Sequence, residues 1–300
     1  MKSKLKSYSS PFGWGHRALD GLFDGDPVYV SEKIDGSQIS FGVDTDGELH
    51  IRSRKVAIDP ESPGMFDLAV ASILGIRSRL AWGYTYRGEY LAKPKQNSIQ
   101  YDCVPDGNIV IYDIDSGDQR YLLDGAFENE AERTGLEHAP LIAVIEKRPS
   151  QEMIDEWMTL PSLLGGEYGV EGVVLKNYDL YGKDDKVLMG KIVREGFAEK
   201  NSKNWKTNNP SNRDILSRLT DEYATEARWN KAIQHLAEQN ELVGEMKDMP
   251  ALFREVQDDV LQECEDEIKE TLFNHFWGKI RRGLTYGLPE HYRKYLADNQ

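Results

Sequence analysis

Residues 27–44, PVYVSEKIDGSQISFGVD, contain the pattern on which the fold prediction depends. Apolar and polar residues alternate on both sides of Asp35-Gly36, a dipeptide typical of tight turns. The stretch therefore predicts a strand, a tight turn and a second strand. Lys33 ends the first strand directly before the turn. Its amine is expected to be held rigidly and to face a pocket.

More short β-rich runs follow, and helical patterns are interspersed among them. The predicted strands lie within residues 48–58, 83–92, 107–115, 171–179 and 187–195, and the predicted helices within 65–81 and 151–164. Asp46-Gly47 supplies the turn before the first of these strands. Strands joined mostly by turns, with occasional helices, indicate an α+β fold with antiparallel sheets.

The pattern changes after the Asn-rich segment 200–214. Apolar residues then recur at three- and four-residue spacing, the period of a helix: Leu261, Cys264, Ile268, Leu272, Phe276 and Ile280. We therefore predict two domains, residues 1–205 with the strands and a small all-α domain over residues 210–300.

The net charge of −14 argues against a protein that binds nucleic acid loosely along its length. Basic residues are nevertheless concentrated in two places, residues 183–213 and residues 279–294. This distribution favours binding at one basic groove, although two solvated basic faces would produce the same pattern.

Cysteine content and hydropathy indicate the cell compartment in which the protein is expected. Cys103 and Cys264 are the only cysteines, which is too few for a disulfide framework or a zinc site. No apolar run approaches the roughly 20 residues of a membrane span, and the first residues lack the apolar core of a secretory signal. We predict a cytoplasmic protein that does not enter membranes.

Six short motifs, in a fixed order, resemble those of the covalent nucleotidyltransferases, the family of DNA ligases, RNA ligases and mRNA capping enzymes. They are Lys33-Ile34-Asp35-Gly36 (motif I), Ser53-Arg54 (Ia), Arg87-Gly88-Glu89-Tyr90 (III), Ile109 to Ile114 (IIIa), Glu171 to Lys176 (IV) and Lys191-Ile192-Val193 (V). The resemblance implies a nucleotidyltransferase domain with an ATP-grasp-like ligase fold, in which Lys33 attacks the α-phosphate of ATP.

The chemistry requires a neutral amine, whereas a free lysine has a pKa near about 10.4. A neighbouring cation and a bound metal disfavour the ammonium and also neutralise charge on the phosphates. Lys191 and Mg²⁺, or Mn²⁺, are the candidates. Magnesium takes one or two carboxylates and keeps several waters, a role that the resemblance gives to Glu171.

The resemblance also implies the contacts of the nucleotide. Glu89 would accept hydrogen bonds from the ribose, and Tyr112 would stack on the adenine. Arg54 and Lys176 would contact phosphate or the nucleic acid strand. The flanking residues Glu32 and Ile34 belong to the same predicted binding set.

Two departures from the family pattern bear on the assignment. Gln38 occupies the place where DNA ligases and capping enzymes usually carry arginine, and a short amide there is similar to the phage-type RNA ligase 2 branch. Gln38 would contact the ribose or position a phosphate. Val193 occupies the place of a second motif V lysine, so Lys183, Lys186 or Arg194 would have to supply that charge.

DNA ligases and capping enzymes follow motif V with a β-barrel, whereas residues 210–300 predict helices. We therefore favour an ATP-dependent RNA ligase that seals 5′-phosphate and 3′-hydroxyl RNA ends, as in RNA repair. The substrate could be a nicked duplex, a single strand or a tRNA break, and the sequence leaves the oligomeric state open. A DNA ligase, or an inactive module that binds nucleotides or nucleic-acid ends, remains as an alternative.

Overall fold

The computed structural model describes residues 5–183, 185–194 and 215–298. The chain divides into two compact units. The first comprises Met1–Glu199 together with Glu226–Val256, and the second comprises Lys200–Thr225 together with Gln257–Gln300. The predicted Asn-rich joint, and with it Lys200, Lys203, Lys206 and Arg213 of the first basic stretch, lies outside the described residues. The boundary between predicted domains 1–205 and 210–300 therefore stays a prediction.

Two five-stranded sheets form the frame of the first unit. In the order of pairing, the first sheet consists of β1 (Phe12–Gly13), β10 (Val187–Val193), β9 (Gly172–Tyr181), β2 (Val28–Lys33) and β8 (Leu141–Ile145). The second sheet consists of β4 (Leu49–Ser53), β3 (Ser37–Val43), β5 (Thr85–Tyr90), β6 (Ile109–Asp115) and β7 (Glu137–His138). Neighbouring strands are antiparallel except at one edge of each sheet, where β1 pairs parallel to β10 and β7 parallel to β6. The α+β prediction is confirmed.

Each sheet buries one face under helices. Helix α1 (Asp67–Ile76) packs into the core of the second sheet, and α3 (Gln151–Met158) packs into the core of the first. Along β2, Val28 and Val30 enter the helix-covered core. Since strand side chains alternate between faces, Tyr29, Ser31 and Lys33 lie on the opposite face. Helix α2 (Gly125–Thr134) follows β6.

The predicted hairpin between β2 and β3 is wrong, because these strands belong to different sheets. A two-residue hairpin turn of the expected kind requires positive φ angles, and neither Asp35 nor Gly36 adopts one. Asp35 instead accepts hydrogen bonds from the backbone N–H groups of Ser98 and Ile99, both with its Oδ2, at 2.7 and 2.8 Å. These bonds open the turn into a corner, so that Lys33 ends one sheet and Ser37 begins the other. By contrast, the predicted turn at Asp46-Gly47 does join two paired strands, β3 and β4.

Helices replace strands after the described β10, as the sequence predicts. They are α4 (Ile215–Tyr223), α5 (Glu226–Glu238), α6 (Met249–Leu284) and α7 (Leu288–Asp298). Helix α5 and the first turns of α6, up to Val256, are part of the first compact unit with the two sheets. Arg281, Arg282, Arg293 and Lys294, from the second basic stretch, are exposed on α6 and α7. Within the described ranges, none of the helices combines the length and the apolarity that a bilayer crossing requires.

Candidate active site

Lys33 and Glu171 form the centre of the site. Lys33 ends β2 opposite Gly172 of β9, which places the preceding residue, Glu171, beside the lysine amine. Nζ of Lys33 lies 2.9 Å from Oε1 and 2.7 Å from Oε2 of Glu171, so the ammonium bonds both carboxylate oxygens. The lysine side chain is 26% exposed and the glutamate side chain 9%. The strand pairing thus brings together two predicted residues that are 138 positions apart.

The surrounding charges decide the protonation of this pair. Burial alone would lower the pKa of Lys33, but the carboxylates of Glu171, Asp35 and Glu89 outweigh it and raise the pKa above its usual range. Burial also raises the pKa of Glu171 to about 7, against the opposing effects of Lys33 and of the Lys191 charge. Lys33 is therefore an ammonium at neutral pH in this arrangement, opposite to the neutral amine that the attack requires.

Glu89, on β5 of the second sheet, lies beside the corner at Asp35-Gly36. Its Oε1 accepts a hydrogen bond from the Gly36 N–H at 3.2 Å, and its register partner on β3 is Gln38. Burial raises the pKa of Glu89 to about 8; the Lys33 charge opposes this shift, and Glu238 adds to it. The two residues predicted to contact the ribose thus lie on neighbouring strands and next to the motif I corner.

Asp35 holds the backbone of the corner through hydrogen bonds of its carboxylate and its N–H. Besides the two backbone bonds to residues 98 and 99, its Oδ1 accepts from Nδ2 of Asn97 at 3.2 Å, and its own N–H donates to the Tyr101 hydroxyl at 2.8 Å. The Lys-x-Asp-Gly pattern marks Asp35 in the sequence, but loop 97–101 carries no pattern that would have predicted its part. These bonds fix the backbone that carries Lys33.

Motif V contributes one cation to the described site. Lys191 on β10 lies opposite Val174 of β9, and its charge lowers the pKa of Glu171. Arg194, next to Val193, donates through its Nη2 to the Met158 carbonyl at 2.5 Å. Lys183 is exposed and Lys186 is half-buried.

Tyr112 lies on β6, beside a cleft of about 440 Å³ that includes space open to solvent. Lys176 also lines this cleft, with its Nζ 5.4 Å from the centre of the Tyr112 ring. The ammonium of Lys176 forms a buried ion pair with Asp113 at 3.1 Å, which joins the two sheets. Tyr8, from the N-terminal segment, packs its ring 5.2 Å from that of Tyr112 and donates a short hydrogen bond to Asp113. No sequence pattern pointed to Tyr8.

The remaining predicted residues flank this centre. Arg54 is half-buried just after β4, and its Nη2 donates to Oγ of Ser10 at 3.2 Å. Ile34 is buried in a small apolar cluster beneath the corner. Glu32 is buried, and its carboxylate accepts from the Ser162 hydroxyl at 2.5 Å and from the Leu163 N–H at 3.0 Å. Its bonds tie β2 to the loop before β9.

Helix α5 supplies two site residues that sequence reasoning missed. Gln234 donates through Nε2 to the Gly36 carbonyl at 2.7 Å and to Oγ of Ser37 at 3.1 Å. Glu238, one turn later, accepts from the same amide at 2.7 Å. Burial raises the pKa of Glu238 to about 7, although its hydrogen bonds from Gln234 and Ser37 lower it. A helix nearly 200 residues downstream therefore lines the motif I corner.

The donor set suits a magnesium or manganese ion held mainly by its other ligands. Within the described part of the chain, His, Cys, Asp and Glu side chains form no group of three or more that could hold a metal by itself. Glu171 offers one buried carboxylate, and Glu89 and Asp35 add negative charge that acts on the same site. One or two carboxylates with phosphate oxygens and waters is the usual way in which proteins bind Mg²⁺.

Two sheets that bring a lysine, its carboxylate partner and a second carboxylate to one corner define a nucleotidyltransferase-type domain. The sequence model of the RNA ligase family matches residues 26–193, which is more than half of the chain. The chain belongs to the RNA ligase family. The family prediction from the ordered motifs is thereby confirmed. No curated protein matches the chain significantly.

Solved structures of an RNA ligase from Naegleria gruberi are similar to the chain at low identity. A mutant with ATP and Mn is 17% identical with a TM-score of 0.49, and the match covers 64% of this chain and 57% of that one. A second mutant, without ligand, is 18% identical with a TM-score of 0.47, covering 64% and 56%. A third, with AMP and Mn, is 16% identical with a TM-score of 0.45, covering 64% and 56%. The chain thus matches a little over half the length of these proteins.

Proposed function

We propose that this chain is an ATP-dependent RNA ligase that joins a 5′-phosphate to a 3′-hydroxyl through a lysyl-AMP at Lys33. The observation that supports this most is the double hydrogen bond between Nζ of Lys33 and the Glu171 carboxylate, at 2.7 and 2.9 Å. It fixes the amine at a corner where Glu89 accepts a hydrogen bond from the Gly36 N–H and to which Lys191 contributes charge.

In the first step, Nζ of Lys33 forms a bond to the α-phosphorus of ATP, and the bond to the pyrophosphate oxygen breaks. Before this, Lys33 must lose a proton and release Glu171, because an ammonium has no lone pair. When bound at Glu171, Mg²⁺ or Mn²⁺ would compete with Lys33 for the carboxylate and offset charge on the phosphates. Lys191 supplies a fixed positive charge beside the same carboxylate.

The other residues would orient the nucleotide. Glu89 and Gln38, on paired strands, are placed to meet the ribose, while Tyr112 offers a ring face for the adenine. In the second step, an oxygen of the 5′-phosphate of an RNA strand bonds to the phosphorus of the AMP, the P–N bond to Lys33 breaks, and the lysine nitrogen takes up a proton. In the third, a 3′-hydroxyl loses its proton, attacks that phosphate and displaces AMP. The protons released by Lys33 and by the 3′-hydroxyl pass to water.

We also propose that the helical region beyond residue 210 contributes to RNA recognition, through the exposed arginines and lysine of α6 and α7. The assignment of residues 1–205 as the adenylyltransferase domain and the cytoplasmic location belong to the same proposal. RNA ends are its expected partners.

The test is incubation of the purified chain with Mg²⁺ and ATP labelled at the α-phosphate, followed by a denaturing gel. We expect label on the protein with ATP, none with GTP, and none in Lys33→Ala. Lys269→Ala is the matched control, since this lysine is exposed and forms an ion pair with Glu265 on its own helix. Absence of label in the wild-type chain, even after pyrophosphate has removed bound AMP, would refute the proposal and favour an inactive binding module.

Once an adduct is found, the acceptor distinguishes RNA ligase from DNA ligase. The labelled protein is mixed with 5′-phosphorylated RNA or DNA, each as a nicked duplex and as a single strand. We expect transfer of AMP and sealing with RNA. Sealing of nicked DNA alone would replace the RNA ligase proposal by the DNA ligase alternative.

A further inference from the structure

Arg54 of motif Ia is held by a residue of helix α5. Its Nη1 lies 3.2 Å from Nε2 of His235, and its Nη2 lies 3.2 Å from Oγ of Ser10. His235 is buried, 6% exposed, although histidine is a residue that usually reaches solvent. The two terminal nitrogens of the guanidinium are thus oriented by partners from opposite ends of the chain.

The chemistry of the contact fixes the tautomer of His235. Arginine has only donors, so Nε2 of His235 must accept the hydrogen bond from Arg54. A neutral imidazole that accepts at one nitrogen donates at the other. Its Nδ1 lies 2.7 Å from Oε1 of Glu255, which can only accept when ionised. The contacts of both ring nitrogens therefore agree on one tautomer and one ring orientation.

Glu255, at the start of α6, is suited to hold the imidazole in this state. It is buried, 7% exposed, and accepts two bonds from Nζ of Lys55, at 2.5 and 2.7 Å. Burial works against its charge, but the bonds from Lys55 and His235 lower its pKa overall. A buried, ionised carboxylate that orients a histidine is the arrangement by which proteins set histidines that act on a further group.

Arg54 is linked to the corner at Asp35-Gly36 through helix α5. Its Nη1 contacts His235, and the preceding residue, Gln234, donates to the Gly36 carbonyl at 2.7 Å and to Oγ of Ser37 at 3.1 Å. The charge of Arg54, with that of Lys55, lowers the pKa of Glu238, and Glu238 in turn raises the pKa of Glu89. Arg54 is therefore joined by helix α5 to the backbone that follows Lys33. Its planar donors match a phosphate only when the guanidinium is held in one orientation.

We propose that His235, held by Glu255, is a positioning residue that orients the Arg54 guanidinium toward a substrate phosphate. This inference rests on the proposed ligase function and extends it to helix α5. The phosphate belongs either to ATP in the first step or to the RNA strand in the sealing step. The chemistry of the contact is the same in both cases, and separate assays distinguish them.

The experiment is a double-mutant cycle with Arg54→Ala and His235→Ala, measured in two assays. One assay follows kcat and KM for ATP in formation of the lysine adduct. The other follows kcat and KM for sealing of RNA that already carries AMP at its 5′ end. We expect each single variant to lose about 10- to 100-fold in kcat/KM in one assay, since a misplacement of about 1 Å can cost about 100-fold. The double variant should lose no more than Arg54→Ala alone.

Two further variants distinguish positioning from a merely structural role. His235→Gln keeps an oxygen that can accept from Arg54, and it should recover most of the lost rate. His50→Ala removes another histidine that is paired with a carboxylate, Asp44 at 2.9 Å, but has no contact with Arg54 among the described bonds. It should leave both assays unchanged.

The inference would be overturned if the loss in kcat/KM of the double variant equalled the product of the losses of the two single variants, because Arg54 and His235 would then act independently. Equal losses in both assays, in proportion to a fall in melting temperature, would also overturn it. A wild-type chain that forms no adduct and seals no RNA would instead overturn the proposed function. The two failures are therefore distinguishable.

Discussion

The buried carboxyl group of Glu89 is expected to lower the stability of the folded chain measurably at neutral pH. Burial raises its pKa from 4.5 to about 8 in the folded chain, and nearby Glu238 and Glu171 add to this while Lys33 opposes it. A carboxyl group with a raised pKa binds a proton more tightly in the folded state. Its contribution to stability is therefore full below pH 4.5 and is lost as the pH rises toward about 8.

The size of this loss of stability follows from the pKa shift of Glu89. Each pH unit between the unfolded and the folded pKa costs about 1.4 kcal/mol. At pH 7, which is 2.5 units above the ordinary pKa of 4.5, the wild-type chain should thus be destabilised by at most about 3.5 kcal/mol relative to a chain with a neutral residue at position 89. Glu89→Gln keeps an oxygen for the Gly36 N–H. We expect it to be more stable at pH 7, equal to the wild type near pH 4, and slower in forming the lysine adduct.

The assay is urea unfolding of both chains from pH 4 to pH 8, combined with adduct formation at pH 7. Glu130→Gln is the matched control of opposite sign. Bonds from Arg133 and Tyr86 lower the pKa of Glu130 despite its partial burial, so its stabilisation is present at neutral pH and is lost in acid. A stability difference for Glu89→Gln that does not grow between pH 4.5 and pH 8, or that is negative at pH 7, would refute the reasoning.

Two further substitutions test the corner at Asp35-Gly36 and the Lys176–Asp113 ion pair that joins the two sheets. A Cβ at Gly36 would lie 2.6 Å from the Tyr90 carbonyl oxygen, so Gly36→Ala should lower stability by about 1–3 kcal/mol and abolish the adduct. Gly75→Ala is the control: Gly75 has open space around it, and the substitution should be neutral or stabilising. Similar effects of the two substitutions would contradict the clash at Gly36. Lys176→Ala should remove the cation paired with the buried Asp113, which keeps hydrogen bonds from Tyr8 and Tyr178, and should cost up to about 3–5 kcal/mol in thermal or urea unfolding. Unchanged stability with lost activity would instead favour the phosphate contact that the motif predicts.

Local patterns predicted the strands well, because alternation of apolar residues is a property of a few neighbouring positions. Residues 28–33, 37–43 and 109–115 are strands where the alternation or the β-rich composition indicated them. The prediction of a hairpin at Asp35-Gly36 was wrong, because the turn preference of that dipeptide is weaker than the hydrogen bonds that Asp35 accepts from residues 98 and 99. Those partners are distant in sequence, and no local rule could include them.

The site shows the same division between local and distant information. Ordered motifs indicated Lys33 and Glu171, and strand pairing places them in contact. Helix α5 was predicted only as a helix, since nothing in its amphipathic period distinguishes Gln234 or His235 from other polar residues on its surface. Their partners were decided by docking of the helix in the first unit, which depends on the folded shape and not on the spacing of residues along the chain.

The open corner at Asp35-Gly36 has a consequence for the order in which the protein matures. Lys33 emerges early in synthesis, but Glu171 comes 138 residues later, and Lys191 later still. The contacts of high sequence separation that build the site form slowly compared with local turns. A nascent chain that ends before Glu171 carries a complete motif I but lacks this carboxylate and β9, the strand that pairs with Lys33. Reaction with ATP would therefore begin only after both sheets have assembled, which keeps partly made chains from consuming nucleotide.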